Sequence, residues 1–235
     1  LAELKQSIAG NVRTDLASRI LYSTDASIYQ IEPMGVVIPR DQDDLQAVVE
    51  LAAKYKTPIL PRGSGSSLAG QAVGEALIVD VSRWLYHIIE VNPEKRTATV
   101  EPGVILAALN KAAAQHGLQF GPDPASAERA TVGGVIGNNA TGAHSILYGM
   151  AADHILAADV ILSDGSVATF DNSIIDIRES MSEDRLSNID SRFSHIISAI
   201  REIREKYAAA IQQHYPTTWR NSAGYRLNYL LPWSP

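Results

Sequence analysis

Residues 61–70 read "PRGSGSSLAG", straight after the apolar pair Ile59-Leu60. Glycine tolerates positive φ and carries no side chain, so its neighbours' N–H groups can converge on one concavity. Such a nest suits anionic oxygens, diphosphates above all. Ser64, Ser66 and Ser67 add hydroxyl donors and Arg62 adds positive charge. A surface turn rich in Gly and Ser is the plainer reading of the same letters, and a flexible tether is a third. Two phosphate motifs are excluded. A P-loop requires a lysine after its last glycine, and none occurs between Lys56 and Lys95. A dinucleotide fingerprint requires GxGxxG opening a helix, whereas here the register is Gly63-x-Gly65-x-x-Leu68 with no helical run behind it.

Working outward, Val36-Val37-Ile38 predicts a buried strand ending at Pro39. Asp41 opens a helix through Leu45, Val48, Ala52 and Tyr55, with Asp44 as a weaker form of a capping box, so that Asp41 and Asp44 are cap residues and not a catalytic pair. Thr57-Pro58 stops that helix and Ile59-Leu60 resumes as strand, which makes a βαβ unit. Residues 76–81 predict another buried strand. Residues 86–91 and 95–101 predict two strands around a turn at Asn92-Pro93-Glu94. A helix follows through Leu106, Leu109, Ala113 and His116, capped by Gly117. Asp164-Gly165 predicts a hairpin between 155–162 and 166–170. The polar stretch 171–190 reads as a surface loop, and Phe193 to Ile211 as an amphipathic helix ending near Tyr215-Pro216.

Composition limits the function. The chain has 235 residues, 46% hydrophobic and 20% charged, enough for a real core. Its net charge of −6, with scattered Lys and Arg, argues against a nucleic-acid partner. With no cysteine, this chain has no disulfide, thiol nucleophile or iron–sulfur ligand. The six histidines have no metal-ligand spacing, so no metal site is expected. No apolar run approaches the ~18 residues of a membrane span. A cytoplasmic location is expected, with peripheral membrane association left open.

A second stretch of small residues, Thr131 to Gly142, is either a short helix or a surface packed closely on a ligand. Two such surfaces in one chain favour a long ligand in a groove. At this point the order of motifs resembles a family. Pro61 to Leu68, Glu101-Pro102-Gly103-Val104, Pro122-Asp123-Pro124-Ala125-Ser126, Thr131-Val132-Gly133-Gly134, Gly137-Asn138-Asn139-Ala140 and Tyr148-Gly149 follow the order seen in the PCMH-type FAD-binding domain of the vanillyl-alcohol-oxidase flavoproteins. The nearest branch is that of glycolate oxidase flavoprotein subunits, D-lactate dehydrogenases and D-2-hydroxyglutarate dehydrogenases.

The resemblance implies an α+β fold: a small parallel βαβ lobe at 31–84 and a larger mixed, mainly antiparallel lobe at 85–230, preceded by an N-terminal segment at 1–30. It implies FAD with its diphosphate on Arg62, Gly63, Ser64, Gly65, Ser66 and Ser67. Asp123, Ser126, Thr131, Gly133, Gly134, Asn138 and Asn139 would line the flavin and ribityl portion, and Ile155 would touch the adenine side. Arg62 is left open between the diphosphate and a carboxylate of its own lobe. The first loop has no histidine, so FAD is expected to be non-covalent. Asp25 and Tyr29 are expected to serve packing, and His144 and His154 surface or core roles. The implied reaction is oxidation of a 2-hydroxy acid to a 2-oxo acid by hydride transfer to flavin, with electrons passing to an iron–sulfur partner, a quinone or a cytochrome. An iron–sulfur cluster could lie only in another part of the protein or in a partner. The chain is expected to be the N-terminal part of an enzyme whose substrate cap and catalytic base lie elsewhere, so no catalytic residue is assigned. Two alternatives stay open: the same fold serving a sugar alcohol or an ether-lipid precursor, and a nucleotide-binding module without redox chemistry.

Overall fold

The computed structural model describes residues 1–171, 191–218 and 225–231. They fall into two compact units, Leu1–Ile155 with Asp159–Thr169, and Leu156–Ala158 with Phe170–Pro235. The expected loop at 171–190 lies almost wholly outside the described residues.

The first unit is built on a four-stranded sheet in the order β1-β2-β4-β3, from β1 (Asn11–Arg13), β2 (Gly35–Ile38), β3 (Ile59–Arg62) and β4 (Leu77–Asp80). β2, β4 and β3 run parallel, and β1 joins β2 antiparallel. The βαβ unit is present, but its two strands are not neighbours, because β4 lies between them. All four residues of β4 are buried, which fits a central place. β3 carries Pro61, which has no N–H for a ladder, and takes the edge. β1 had no periodic signal at three residues.

Alternation along the strands supplies a core on each face. Val37, Leu77 and Val79 point to one side, where they meet Leu4 of α1 (Ala2–Ser7) and Val48 of α3 (Gln42–Tyr55). Val36, Ile38 and Ile78 point to the other, against Leu60 and against Tyr22, which follows α2 (Leu16–Leu21). Helix α3 starts as its residues dictate: the Asp41 carboxylate accepts from the Asp44 N–H at 2.9 Å, and Lys56 in the left-handed region ends it before Thr57-Pro58. Asp44 corrects the capping-box expectation. Its buried carboxylate does not reach back to Asp41; it accepts the N–H groups of Ala9, Gly10 and Arg40, each at 2.8 Å, and so ties the chain between α1 and β1 to the start of α3.

Beyond β4, strands β5 (Ile88–Asn92) and β6 (Thr97–Val100) form an antiparallel ladder. α4 (Leu106–Ala114) follows, and Gly117, at φ 69°, lies just after its last turn. A third core gathers Val104, Leu106, Leu109, Ala130, Val135 and Ala151. Val135 belongs to α5 (Val132–Gly137), so the second small-residue stretch is a short helix. After α6 (Ser145–Tyr148) and a 3-10 turn at Ala151–His154, the predicted hairpin forms from β7 (Ala157–Ile161) and β8 (Val167–Asp171), with Gly165 at φ 89° in its turn. The expected amphipathic helix spans Ser191–His214 and buries Ile197 and Ile211. Among the described residues no helix is long and apolar enough to cross a membrane.

Candidate functional site

The loop 63–72 leaves the carboxyl end of β3, beside the carboxyl end of β4, where Arg62 pairs in register with Asp80. In open parallel sheets ligands bind at that edge. Gly65 at φ 69° is in a conformation that a side chain would strain. Among the described residues, the N–H groups of Ser64, Gly65 and Ser66 donate to no protein acceptor, and Ser64 is exposed. Three successive free donors around a left-handed glycine are what an anion-binding nest would require.

The second segment reaches this loop through a chain of backbone contacts. The Gly103 N–H donates to the Leu85 carbonyl at 2.6 Å, fixing the chain that follows β6. Val104 then accepts from the Val132 N–H at 2.7 Å, and Pro102 from the Gly133 N–H at 2.8 Å. Thr131, 1% exposed, caps α5 by accepting the Gly134 N–H on its hydroxyl at 3.3 Å. That hydroxyl packs directly on Gly63, so tightly that a Cβ at 63 would overlap it. Gln71 completes the junction by donating from Nε2 to Asn138 Oδ1 at 2.9 Å. The two small-residue surfaces, far apart in sequence, therefore meet.

The individual residues divide by role. Gly134 and Asn138 are exposed, and Asn138 meets the loop through Gln71. Thr131 and Gly133 are spent on packing: a Cβ at 133 would lie 2.8 Å from Pro102 Cβ. Asn139, also expected to line the ligand, uses its side chain inside the protein. Its Oδ1 accepts from the Ala152 N–H at 2.9 Å and its Nδ2 donates to Met150 Sδ at 3.4 Å. Asp123 sits at φ 51°, its carbonyl accepting from the Ala143 N–H at 3.1 Å and its Oδ2 lying 3.5 Å from His144 Nδ1. Ser126 accepts the N–H groups of Arg129 and Ala130 on its carbonyl. Among the described residues, no hydrogen bond ties Ser126 or Ile155 to the 63–72 loop. His154 Nε2 lies 2.8 Å from the Tyr148 carbonyl, as a packing role requires.

Within the protein, Arg62 engages backbone carbonyls. Nη1 donates to the carbonyls of Ala72 at 2.8 Å and Tyr22 at 3.3 Å, and Nη2 to that of Thr24 at 2.9 Å. Its guanidinium lies over the Tyr22 ring, 5.2 Å from the centroid. The Tyr22 hydroxyl donates to buried Asp80 at 2.5 Å, and burial, with that carboxylate beside it, pushes the Tyr22 pKa far above its ordinary value. Residues 25–29, which include Asp25 and Tyr29, support the loop. The Ala26 N–H donates to the Gly65 carbonyl at 3.0 Å, Asp25 accepts from the Ala72 N–H at 3.3 Å, and the Tyr29 ring packs on Gly70. Burial works against the charged Asp25, yet hydrogen bonds from Ser27 and Ala72 and the Arg62 charge hold its pKa below the ordinary value. Gln71, just past the glycine loop, is a member of the junction that the sequence did not mark. Gly142 packs its backbone on Asp123 and Pro122.

Known proteins identify the family. A family model described as "FAD binding domain" matches residues 33–171. D-2-hydroxyglutarate dehydrogenase of Escherichia coli (strain K12) is 34% identical across 98% of this chain, which spans 22% of that protein. Glycolate oxidase subunit GlcD of Bacillus subtilis (strain 168) is 35% identical across 64% of this chain and 33% of its own length. The solved alkyldihydroxyacetonephosphate synthase superposes with a TM-score of 0.66 over 79% of this chain and 36% of that one, at 22% identity, which speaks to the fold alone. The chain thus spans about a fifth of the length of the dehydrogenase it matches nearly end to end. The free N–H groups and the glycine cradle suit a dinucleotide, and the α+β architecture agrees with the solved relative. The chain belongs to the FAD-binding domain family, in its PCMH-type, vanillyl-alcohol-oxidase fold.

Proposed function

We propose that this chain is the FAD-holding part of a flavin-dependent oxidoreductase that converts a 2-hydroxy acid, of the D-2-hydroxyglutarate, D-lactate or glycolate type, to the 2-oxo acid. The observation that carries the reading is the junction of Gly63 on Thr131 beside three free N–H donors. The D-2-hydroxyglutarate type is favoured, because similarity to that dehydrogenase runs through 98% of the chain against 64% for the glycolate oxidase subunit.

In this reading Ser64, Gly65 and Ser66 hold the diphosphate through backbone N–H, with Gly63 and Ser67 at the ends of the nest and Arg62 behind it. Gly134 and Asn138 present the surface for the ribityl and flavin portion, backed by Thr131, Gly133, Asn139, Asp123 and Ser126, with Ile155 on the adenine side. When bound, FAD supplies the two-electron acceptor that no side chain here provides. The chain's own work is to bind, orient and keep the backbone close. No acid or base is assigned to it; the base that takes the hydroxyl proton belongs to the rest of the enzyme. FAD is held non-covalently: no histidine lies in the first loop, and His154 and His144 sit against Tyr148 and Asp123. The cofactor domain runs over 31–230, with lobes at 31–84 and 85–230. An iron–sulfur or quinone partner takes the electrons, and the enzyme works in the cytoplasm or at a membrane surface.

The test is the visible spectrum of the full-length protein after gel filtration, followed by anaerobic titration. Retained flavin bands that bleach with D-2-hydroxyglutarate, D-lactate or glycolate support the reading. Retained flavin that bleaches only with an alditol or sugar would overturn the substrate class. A folded full-length protein that retains no added FAD would overturn the site.

A further inference from the structure

The Arg62 side chain is placed for a task that the diphosphate reading does not require. Its two Nη atoms reach three carbonyls in two separate segments: Tyr22 and Thr24 on one side, Ala72 at the far end of the glycine loop on the other. The guanidinium also lies directly beneath Gly65, where a Cβ would come within 2.5 Å of Nη2. The same two segments are joined twice more, by Ala26 N–H on the Gly65 carbonyl and by Asp25 on the Ala72 N–H. The 22–31 segment folds back on itself to make this possible: Thr24 bridges Gln30, and Ile31 N–H donates to the Ser23 carbonyl at 2.9 Å. An Arg whose planar fork is engaged by backbone carbonyls acts through geometry more than through net charge.

We propose that Arg62 is a positioning residue, the pin of a clasp in which residues 22–31 hold the glycine loop in its ligand-ready shape. Occupation of the loop and order of the 22–31 segment are then one coupled equilibrium, so that a diphosphate on the loop slows opening of a segment it does not touch. Pulling the segment away frees the Gly65 carbonyl and lets Gly65 leave the left-handed region, which turns the donors out of the nest. The proposal rests on the FAD reading only for the identity of the ligand; the clasp itself is a property of this chain.

The experiment compares the full-length protein with Arg62→Ala, Arg62→Lys and Arg62→Gln, checking each by near-ultraviolet circular dichroism, and measures FAD affinity at two salt concentrations and amide exchange at Ala26 and Ala72. Arg62→Ala should raise the FAD Kd about tenfold or more, through lost hydrogen bonds. It should also speed exchange at both amides with no FAD present. Arg62→Lys, which keeps the charge but has no fork to span three carbonyls, should fail to restore either. FAD should slow Ala26 exchange in the native protein and not in the variants. If Arg62→Ala does not fold, Arg62→Lys and Arg62→Gln decide the same question. A lysine variant with native affinity and a stronger salt dependence would make Arg62 a direct charge contact and overturn the clasp. Unchanged exchange at Ala26 in folded variants would overturn it as well. Faster exchange in variants of a protein that never binds FAD would leave the clasp standing and reject the ligand.

Discussion

The two surfaces that meet at this site are made rigid in opposite ways. The 63–72 loop is held by side chains reaching in from outside it: Arg62 on three carbonyls, Asp25 on the Ala72 N–H and Tyr29 against Gly70. The 131–142 segment is held chiefly by close backbone approach that bare positions allow: Gly133 lies on Pro102 and Gly142 on Asp123, with backbone against backbone or ring. A loop pinned from outside keeps its own donors free for a ligand. A segment packed on itself consumes its donors, as Val132, Gly133 and Gly134 show, and offers shape. One surface therefore supplies polar grip, and the other supplies a wall that a flat ring system can approach.

The largest effect is expected where the two surfaces touch. Gly63→Val overlaps the Thr131 hydroxyl and must push the segments apart, at an overpacking cost of about 1–3 kcal/mol. Equilibrium dialysis should show FAD affinity down by up to about a hundredfold. Native affinity in a folded variant would mean that the junction does not shape the site.

A matched pair of glycines separates backbone strain from site geometry. Gly65 and Gly117 share φ 69°, but a Cβ at 65 meets Arg62 whereas, among the described residues, a Cβ at 117 meets nothing within 4 Å. Both alanine variants should lose roughly 1 kcal/mol in urea unfolding from the left-handed conformation. Only Gly65→Ala should also weaken FAD binding.

Acid should loosen the pinned loop before the packed segment. Asp25 has a depressed pKa in the folded protein, so its contribution is full above the unfolded value of about 3.9 and fades as pH falls through the lower folded value. Amide exchange at Ala72, corrected for intrinsic rate, should rise as pH falls from about 5 toward 3, while that at Val135 stays flat.

The smallest effect is the most particular. Among the described residues a Cβ at Gly137 meets nothing within 4 Å, so none of them explains a glycine there. Gly137→Ala should stabilise α5 by up to about 1 kcal/mol. If it also lowers FAD affinity, the ligand is what keeps position 137 bare; unchanged affinity would move the flavin away from this face.

Much of this was legible in the letters because local chemistry dictated it. Val36-Val37-Ile38 had no polar residue to spare for solvent, Asp41 could cap its own helix, and Asp164-Gly165 could turn a hairpin alone. The glycine loop announced its nest because free N–H groups need no partner elsewhere in the chain. What stayed hidden depended on distant partners. Asp44 looked like half of a capping box until Ala9 and Gly10 came within reach of its carboxylate. Nothing around Arg62 in the sequence pointed to the carbonyls of Tyr22, Thr24 and Ala72 that it engages. Asn139 carried the motif's asparagine but spends it on Met150 and Ala152. Strand order stayed hidden too, since nothing local in Leu77–Asp80 says that it slips between β2 and β3.

Hydrogen–deuterium exchange of the full-length protein across a titration with FAD probes the convergence of the two surfaces most directly. Peptides covering 63–67 and 133–139 should slow together, with one midpoint, while the β5–β6 turn at 93–96 does not respond. Protection of one stretch alone, or of neither at saturating FAD, would contradict the account.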